Sequence, residues 1–220
     1  MNVAVIIPAY NAANSLPKLL QRTIRFVPSK NIIVVNDGSR DATKNVAEQF
    51  NVTMISHEMN RGKGSALQTG FNIALNENID AVITMDADLQ HQPEEIPNFI
   101  TLHSITQKDI IIGSRLHNKK GMPLHRMFSN LVTTFMVKLR TGASISDSQS
   151  GYRFITRRVL EKVQLESAGF EAETEFLIKA AACGFSFGSI PIETIYAGEK
   201  SNMTHLQTTI NFIKVLFKQY

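Results

Sequence analysis

Two aspartates separated by one residue are the strongest chemical signal in the sequence. Asp86 and Asp88 lie in the stretch Asp86-Ala87-Asp88-Leu89-Gln90, directly after the apolar run 81–85. A carboxylate pair at the end of a buried strand suits a hard divalent cation that is held together with substrate phosphates. A bare Asp-x-Asp can equally begin an ordinary loop, so the pair alone leaves both interpretations open.

A second acidic position follows another apolar run. Asp37 lies in Val35-Asn36-Asp37-Gly38-Ser39, where its carboxylate is suited to accept from a base or a ribose hydroxyl. The alternative is a structural helix start, with Ser39 or Asp41 as the N-cap. Because the carboxyl ends of parallel strands meet at one edge of a sheet, two acidic strand ends favour a nucleotide site.

A glycine-rich stretch, Arg61-Gly62-Lys63-Gly64-Ser65, resembles a phosphate loop only in composition. It lacks the four-residue spacing of a P-loop and the third glycine of the dinucleotide fingerprint. What remains is a glycine-rich helix entry. Its backbone amides either approach an anion or serve the fold alone, and the sequence favours neither.

The positive charge is concentrated in one segment. The chain has 23 Lys and Arg against 19 Asp and Glu, a net charge of +4 and a pI near 9.2. Six of the basic residues and no acidic residue lie in 115–146, and the rest of the chain has a net charge of −2. This imbalance predicts an anion site. With only Phe128 and Phe135 as aromatic residues in the segment, base stacking is disfavoured and nucleic acid is not the expected partner.

Asp147 is the first acidic residue after the basic segment. It begins Asp147-Ser148-Gln149-Ser150-Gly151-Tyr152-Arg153. Its carboxylate is placed to orient an arginine or to face a substrate. The alternative is a local turn with Ser148 and Gln149.

Apolar runs alternate with helical patterns in the first half of the chain, which predicts βαβ units and a mostly parallel sheet. Strands buried on both faces are predicted at 3–7, 32–35, 52–56, 81–85 and 110–112. The predicted helices span 13–26, 42–50, 65–76, 94–106, 124–139, 173–183 and 203–220. The rest of 142–198 is a mixed region.

Length and composition limit the class of protein. The 220 residues, 43% hydrophobic and 19% charged, indicate one folded domain rather than a disordered or disulfide-rich chain. The single cysteine, Cys183, is expected in the core and fits a reducing compartment. No run of 18 apolar residues occurs, so we expect no transmembrane helix and a cytoplasmic protein, either soluble or peripheral on the cytoplasmic face of a membrane.

Taken in order, these motifs resemble those of glycosyltransferase family 2, and more narrowly those of its dolichyl- and polyprenyl-phosphate glycosyltransferases. The resemblance covers nearly the whole chain, with Asn36 and Ala12 departing from the common Asp and Glu. It implies an α/β, GT-A (Rossmann-like) nucleotide-sugar-binding fold with a mostly parallel central sheet flanked by helices. The matching stretches are 7–11, 35–39, 60–64, 86–91, 113–115, 150–153 and 196–201.

The resemblance also implies residue roles. The nucleotide sugar would be bound by Pro8, Ala9, Tyr10, Val35, Asp37, Lys63, Asp86, Ala87, Asp88 and Lys200. Mg²⁺ or Mn²⁺ would be held by Asp86, Asp88 and Gln90. The acceptor phosphate would meet Arg115, Arg126 and Ser150, and the catalytic residues would be Asp88, Arg115 and Asp147.

The expected activity is metal-dependent, inverting transfer of a sugar, mannose or glucose, from a GDP- or UDP-linked donor to polyprenyl or dolichyl phosphate at a membrane surface. One alternative is a family 2 enzyme with a saccharide or protein hydroxyl as acceptor, which needs a general base. Another is a non-catalytic nucleotide-sugar or nucleic-acid binder.

One domain is expected, with a donor and metal half at 1–113, an acceptor part at 114–202 and an amphipathic C-terminal helix at 203–220. No transmembrane helix follows residue 220, so membrane contact would fall to this tail. Its apolar residues either lie on a bilayer or pack against the domain: Phe212, Ile213, Leu216 and Phe217.

Overall fold

The computed structural model describes residues 1–115, 124–193 and 205–220, without the side chains of 124–126 and 205–207. The seven strands are β1 (Val3–Ala9), β2 (Ile32–Asn36), β3 (Thr53–Ser56), β4 (Ala81–Thr84), β5 (Ile110–Ser114), β6 (Arg153–Thr156) and β7 (Phe187–Pro191). The helices are α1 (Leu16–Thr23), α2 (Thr43–Glu48), α3 (Lys63–Asn76), α4 (Ile96–Thr106), α5 (Leu124–Thr141), α6 (Arg157–Lys162), α7 (Ala172–Ala182) and α8 (His205–Phe217).

All seven strands form one sheet in the order β3-β2-β1-β4-β6-β5-β7. Pairing is parallel except at β6, which is inserted antiparallel between β4 and β5. The chain adds β2 and β3 on one side of β1 and returns to place β4 on the other side. Open α/β sheets bind ligands at such a switch point, beyond the carboxyl ends of the strands.

The sheet has an apolar core on each face, because alternate residues of a strand point to opposite sides. From β1, Ala4 and Ile6 join one core together with α3, α5, α6, α7 and α8. Val3, Val5 and Ile7 join the other core, which α1, α2 and α4 cover. The mostly parallel sheet flanked by helices is therefore confirmed.

Two predictions about the elements are wrong. β3 lies at the edge of the sheet, so it is half-buried to exposed rather than buried on both faces. Cys183 is exposed, because α7 ends at Ala182 and the cysteine follows the last turn. The mixed region contributes β6 and β7, which complete the sheet; both are short, and β6 begins with an arginine.

The C-terminal helix packs against the domain along one face. Phe212, Val215 and Leu216 of α8 are buried in the core, and Ile213 and Phe217 are exposed. Within the described ranges, no helix combines the length and the apolar character needed to cross a bilayer.

Candidate functional site

A cleft of about 760 Å³ opens at the carboxyl ends of β1, β2 and β4. This volume is in the range of small-molecule sites. Eight of the residues predicted to bind nucleotide sugar line it together: Pro8, Ala9, Tyr10, Asp37, Lys63, Asp86, Ala87 and Asp88. Val35 does not, because its side chain is wholly buried in the core, which leaves only its main chain for contact with a ligand.

Lys63 and two carboxylates form an ion cluster in the cleft. The Lys63 ammonium lies 2.5 Å from Asp86 Oδ1 and 2.7 Å from Glu173 Oε1. Burial disfavours the charged form of Asp86, but Lys63 outweighs it and lowers the pKa of Asp86 to about 2. Burial likewise acts against the charge of Lys63, whose pKa is nevertheless raised by Asp86 and Glu173. Lys63 and Asp86 are therefore both charged at neutral pH.

A glycine beneath this cluster makes its close packing possible. A Cβ added at Gly151 would lie 2.7 Å from Glu173 Oε1, 3.0 Å from Lys63 Nζ and 3.1 Å from Asp86 Oδ2. Any side chain at this position would enter the space that the ion cluster fills. The glycine of the 150–153 motif thus serves the site through its small size.

The loop that holds Asp86 and Asp88 is fixed from behind by two rings. The His91 ring is buried and stacks on Tyr152 at a centroid distance of 4.9 Å. Its Nδ1 accepts the Asp86 N–H at 3.1 Å, and burial lowers the pKa of His91 to about 4, so the ring is neutral. The Tyr152 hydroxyl donates to the Gln92 carbonyl at 2.8 Å. Tyr152 of the 150–153 motif therefore supports the aspartate loop.

The same loop contains a strained residue. Leu89 has φ of +64°, a backbone conformation that residues with side chains rarely adopt. The next residue, Gln90, donates its N–H to Asp88 Oδ1 at 3.0 Å. Gln90 is not among the residues that line the cleft, so its role as a metal ligand stays a prediction.

Asp147 is buried behind Arg115. Its carboxylate accepts from Arg115 Nε at 2.9 Å, from the terminal nitrogen at 3.0 Å and from the backbone N–H at 3.2 Å. Burial raises the pKa of Asp147, but the guanidinium and these hydrogen bonds more than reverse this and lower it overall. Of the alternatives left open by the sequence, the structure selects the one in which Asp147 orients an arginine.

Ser150 and Arg153 both face the interior. Ser150 is completely buried, and its hydroxyl accepts the Tyr152 N–H at 3.4 Å. Arg153 donates to the carbonyl oxygens of Glu173 and Ser148, each at 3.0 Å. Burial places the Ser150 hydroxyl away from solvent, and its contact with an acceptor phosphate stays a prediction.

The glycine-rich stretch uses its amides within the protein. Arg61 N–H and Gly62 N–H donate to the Asp37 carboxylate at 2.9 and 2.8 Å. Gly64 N–H donates to the Ala168 carbonyl at 2.7 Å, and the next amide donates to the same oxygen at 3.3 Å. Because these N–H groups already have acceptors within the protein, the stretch serves the fold rather than an anion. It joins Asp37 to the loop before α7, and we call it the clamp.

Replacing Gly64 by alanine is expected to destabilise the protein by about 2 kcal/mol or more. The new Cβ would lie 2.2 Å from the Ser167 carbonyl oxygen and 2.5 Å from Ala172 Cβ, so backbone must move. Gly188→Ala is the matched control, because its Cβ would lie 3.1 Å from the Lys108 side chain and 3.5 Å from Ile111 Cγ1, and none of its three nearest atoms belongs to the backbone. Urea unfolding of both variants measures the difference; equal stabilities would contradict the clamp.

The donor set at the cleft fits a divalent cation that substrate completes. Among the described residues no three His, Cys, Asp or Glu side chains gather closely enough to hold a metal by themselves. Asp86 and Asp88, however, are two carboxylates at the end of β4 that face the same cleft. Mg²⁺ is commonly held by one or two carboxylates plus substrate phosphates and water.

Two of the predicted site residues have no described side chain. Three further residues of the site were not predicted from the sequence. Arg126 lies in the first turn of α5 without a described side chain, and Lys200 with the rest of 196–201 lies outside the described ranges. The sequence interpretation overlooked Glu173, Phe170, which lines the cleft, and His57, which contacts Asp37. His57 directly follows β3, so the strand-end argument applied to Asp37 and Asp86 would have found it.

The switch-point cleft, with its acidic strand ends and charged cluster, defines an α/β enzyme of the nucleotide-binding kind. The structure of glucosyl-3-phosphoglycerate synthase from Mycobacterium tuberculosis with Mn²⁺, uridine diphosphate and phosphoglyceric acid superimposes with a TM-score of 0.74. The match covers 98% of this chain and 77% of that one at 17% identity, which establishes the GT-A fold.

The chain belongs to glycosyl transferase family 2, whose family model matches residues 4–164, and the predicted resemblance is confirmed. It is 32% identical to a UDP-N-acetylglucosamine–dolichyl-phosphate N-acetylglucosaminyltransferase of Methanococcus voltae, over 88% of this chain and 86% of that protein. It is 30% identical to an undecaprenyl-phosphate mannosyltransferase of Micrococcus luteus, over 87% and 83% of the two chains.

Proposed function

We propose that this glycosyltransferase moves a sugar from a UDP- or GDP-linked donor to a polyprenyl or dolichyl phosphate, with a divalent cation and with inversion at the anomeric carbon. The observation that carries the proposal is the meeting of Asp86, Asp88 and Lys63 in one cleft at the switch point. The relatives named as dolichyl- and undecaprenyl-phosphate glycosyltransferases support the acceptor class.

The donor side is argued from charge. A cation held by Asp86 and Asp88, Mg²⁺ or Mn²⁺, would offset the negative charge that develops on the leaving diphosphate. Lys63 adds a fixed ammonium in the same cleft, kept in place by Glu173. Asp37, whose N–H donates to the Ala9 carbonyl at 2.8 Å, also lines the cleft, and the base would bind beside it.

The carboxylates near the cleft already have hydrogen-bond or ion-pair partners, which bears on the kind of acceptor. Asp37 accepts backbone amides, Asp86 and Glu173 pair with Lys63, and Asp147 pairs with Arg115. To act as a general base for a hydroxyl acceptor, any of these four carboxylates would have to give up such an interaction. A lipid phosphate is already ionised at neutral pH and needs positioning only, which Arg115 can supply by charge-assisted hydrogen bonds.

The reaction is a single displacement. A phosphate oxygen of the acceptor forms a bond to the anomeric carbon, while the bond from that carbon to the diphosphate oxygen breaks. The electron pair of the broken bond leaves with the nucleoside diphosphate. Arg115, held rigid by Asp147, positions the incoming phosphate, and Lys63 faces the leaving group.

An apolar face on α5 supports a membrane location for the acceptor. Phe128, Leu131, Val132, Phe135 and Leu139 follow helical spacing and are all exposed, Phe128 by 69% and Phe135 by 65%. The helix belongs to the segment 115–146, which has six basic and no acidic residues. Apolar side chains beside uncompensated positive charge suit the surface of an anionic bilayer.

The double variant Phe128→Ser/Phe135→Ser is expected to bind vesicles about tenfold more weakly than the wild type, because two rings no longer enter the bilayer. Cosedimentation with phosphatidylcholine vesicles containing about 30% phosphatidylglycerol measures this. Ile105→Ser is the control, since Ile105 is 74% exposed on α4. Unchanged binding of the double variant would remove α5 as the docking surface.

The proposed function is tested by incubating the protein with Mn²⁺, a panel of UDP- and GDP-sugars and polyprenyl phosphate, and by following glycolipid formation. We expect product with one donor and none after chelation of the metal. No glycolipid with any donor, or transfer to a saccharide hydroxyl instead, would refute the lipid acceptor.

A further inference from the structure

A half-buried histidine contacts Asp37, the cleft residue beside which the base would bind. His57 Nδ1 is 2.7 Å from Asp37 Oδ1, and the His57 side chain is 7% exposed. Its backbone N–H donates to the carbonyl oxygen of Asn36 at 2.9 Å. Both the main chain and the side chain of His57 therefore hold the end of β2.

The hydrogen-bond partners of His57 define its protons. Nε2 lies 2.9 Å from the Thr69 hydroxyl, and that hydroxyl donates its one proton to the Ser65 carbonyl at 3.0 Å. The hydroxyl must then accept from Nε2–H, while the Asp37 carboxylate accepts from Nδ1–H. The His57 ring is therefore held at both nitrogens, by the Asp37 carboxylate on one side and by the Thr69 hydroxyl on the other.

We propose that His57 is the positioning residue for recognition of the nucleotide base through Asp37. The carboxylate of Asp37 accepts from His57 and Arg61 N–H on Oδ1 and from Gly62 N–H on Oδ2. Its four acceptor positions thus have three donors from the protein, and the group lines the cleft. The fourth position, on Oδ2, is the one that a base can use.

This arrangement selects a class of base, and the inference rests on the proposed function. Uracil and guanine each present a ring N–H at the edge that a carboxylate can accept. Cytosine and adenine present an unprotonated ring nitrogen there, which an ionised carboxylate repels. By holding the Asp37 carboxylate in place as an acceptor, His57 favours donors linked to uridine or guanosine diphosphate over cytidine or adenosine diphosphate.

Calorimetric titration with UDP, GDP and CDP in the presence of Mn²⁺ tests the proposal. His57→Leu removes both donors, whereas His57→Asn keeps an N–H group close to the position of Nδ1. We expect His57→Leu to lower the affinity for the preferred nucleotide, UDP or GDP, about tenfold or more. The affinity for CDP should change by less than about threefold. His57→Asn is expected to stay within about threefold of the wild type.

Arg157→Ala is the control for a merely structural effect. Arg157 donates to the carbonyl oxygens of Leu75, Glu77 and Ile79 at the far end of α3, so its loss weakens the fold without touching the cleft. A His57→Leu variant that binds UDP and GDP as Arg157→Ala does, and that discriminates against CDP as before, would overturn the inference.

Two further results separate the possible failures. Wild-type protein that binds neither UDP nor GDP would refute the proposed function itself. If His57→Leu does not fold, Thr69→Val takes its place, because it keeps the shape of the side chain and removes the partner of Nε2. Thr69→Val is then expected to lower the affinity for UDP or GDP at least about threefold. A Thr69→Val variant with wild-type affinity would overturn the inference.

Discussion

Replacing Asp88 by asparagine is expected to lower sugar transfer at least about a thousandfold, with the folded structure retained. Asparagine has the same shape and can still accept the Gln90 N–H that Asp88 accepts at 3.0 Å. It removes one full negative charge from the pair that faces the cleft. Asp86 shares its charge with Lys63, so it cannot by itself replace the missing carboxylate.

Asp80→Asn is the matched control for this variant. Asp80 precedes β4 while Asp88 follows it, and the Asp80 carboxylate accepts the Asn2 backbone N–H at 2.6 Å in an exposed setting. Transfer is measured beside Mn²⁺-dependent binding of the nucleotide. Asp88→Asn that retains a tenth of the activity, or normal metal-dependent binding, would contradict the metal role of Asp88.

Asp147→Asn is expected to destabilise the protein by roughly 3 kcal/mol and to lower transfer strongly. The variant removes one charge of a buried, bidentate ion pair and leaves Arg115 facing amide hydrogens. The Arg115 side chain, 14% exposed, would lose the partner that fixes its direction. Glu161→Gln, which breaks an exposed pair with Arg157, is the control and should cost less than about 1 kcal/mol.

The Arg115–Asp147 pair also makes the stability of the wild type depend on pH in the acidic range. The pKa of Asp147 is lowered in the folded protein, so the pair stabilises the protein above the ordinary pKa of an aspartate and is lost as the pH falls through the folded value. Urea unfolding at neutral pH and at acidic pH should therefore show a smaller loss of stability for Asp147→Asn than for the wild type. A difference between the two proteins that is independent of pH would contradict this account.

A role for Asp147 as a general base would have a different signature. Activity of Asp147→Asn would then be lost without a comparable loss of stability. The structure favours the positioning role, because the carboxylate accepts hydrogen bonds from Arg115 and from the Gln149 N–H of the following turn. Combining Arg115→Gln with Asp147→Asn should cost little more activity than Arg115→Gln alone, since the two side chains act as a unit.

Local sequence was enough to predict where the site begins. The apolar runs that became β1, β2 and β4 are continuous, and the residues after each run are the ones that line the cleft. Strand ends are encoded by neighbours in sequence, so Asp37, Asp86 and Asp88 were identified from their positions alone. The fold class and the family follow from the same order of motifs.

Partners across the chain were not predictable in this way. From the sequence, Asp147 could orient an arginine, face a substrate or form a local turn. Only the packing of the chain shows that Arg115 Nε lies 2.9 Å from Asp147 Oδ2. The glycine-rich stretch was left open between anion binding and the fold, until the Ala168 carbonyl was found to occupy its amides. Burial of Ser150 and exposure of Cys183 likewise depend on which face each residue presents.

The sequence by itself determined that the chain is a family 2 glycosyltransferase with carboxylates at its strand ends. This was possible because each strand, glycine motif and carboxylate pair lies within a short stretch of residues. Only the tertiary structure decided that Glu173 holds Lys63, that His57 lies behind Asp37 and that the apolar face of α5 stays exposed. These features depend on side chains from distant segments that meet, or fail to meet, when the helices pack on the sheet. Hydrogen bonding and burial are properties of that packing, which no single stretch of sequence contains.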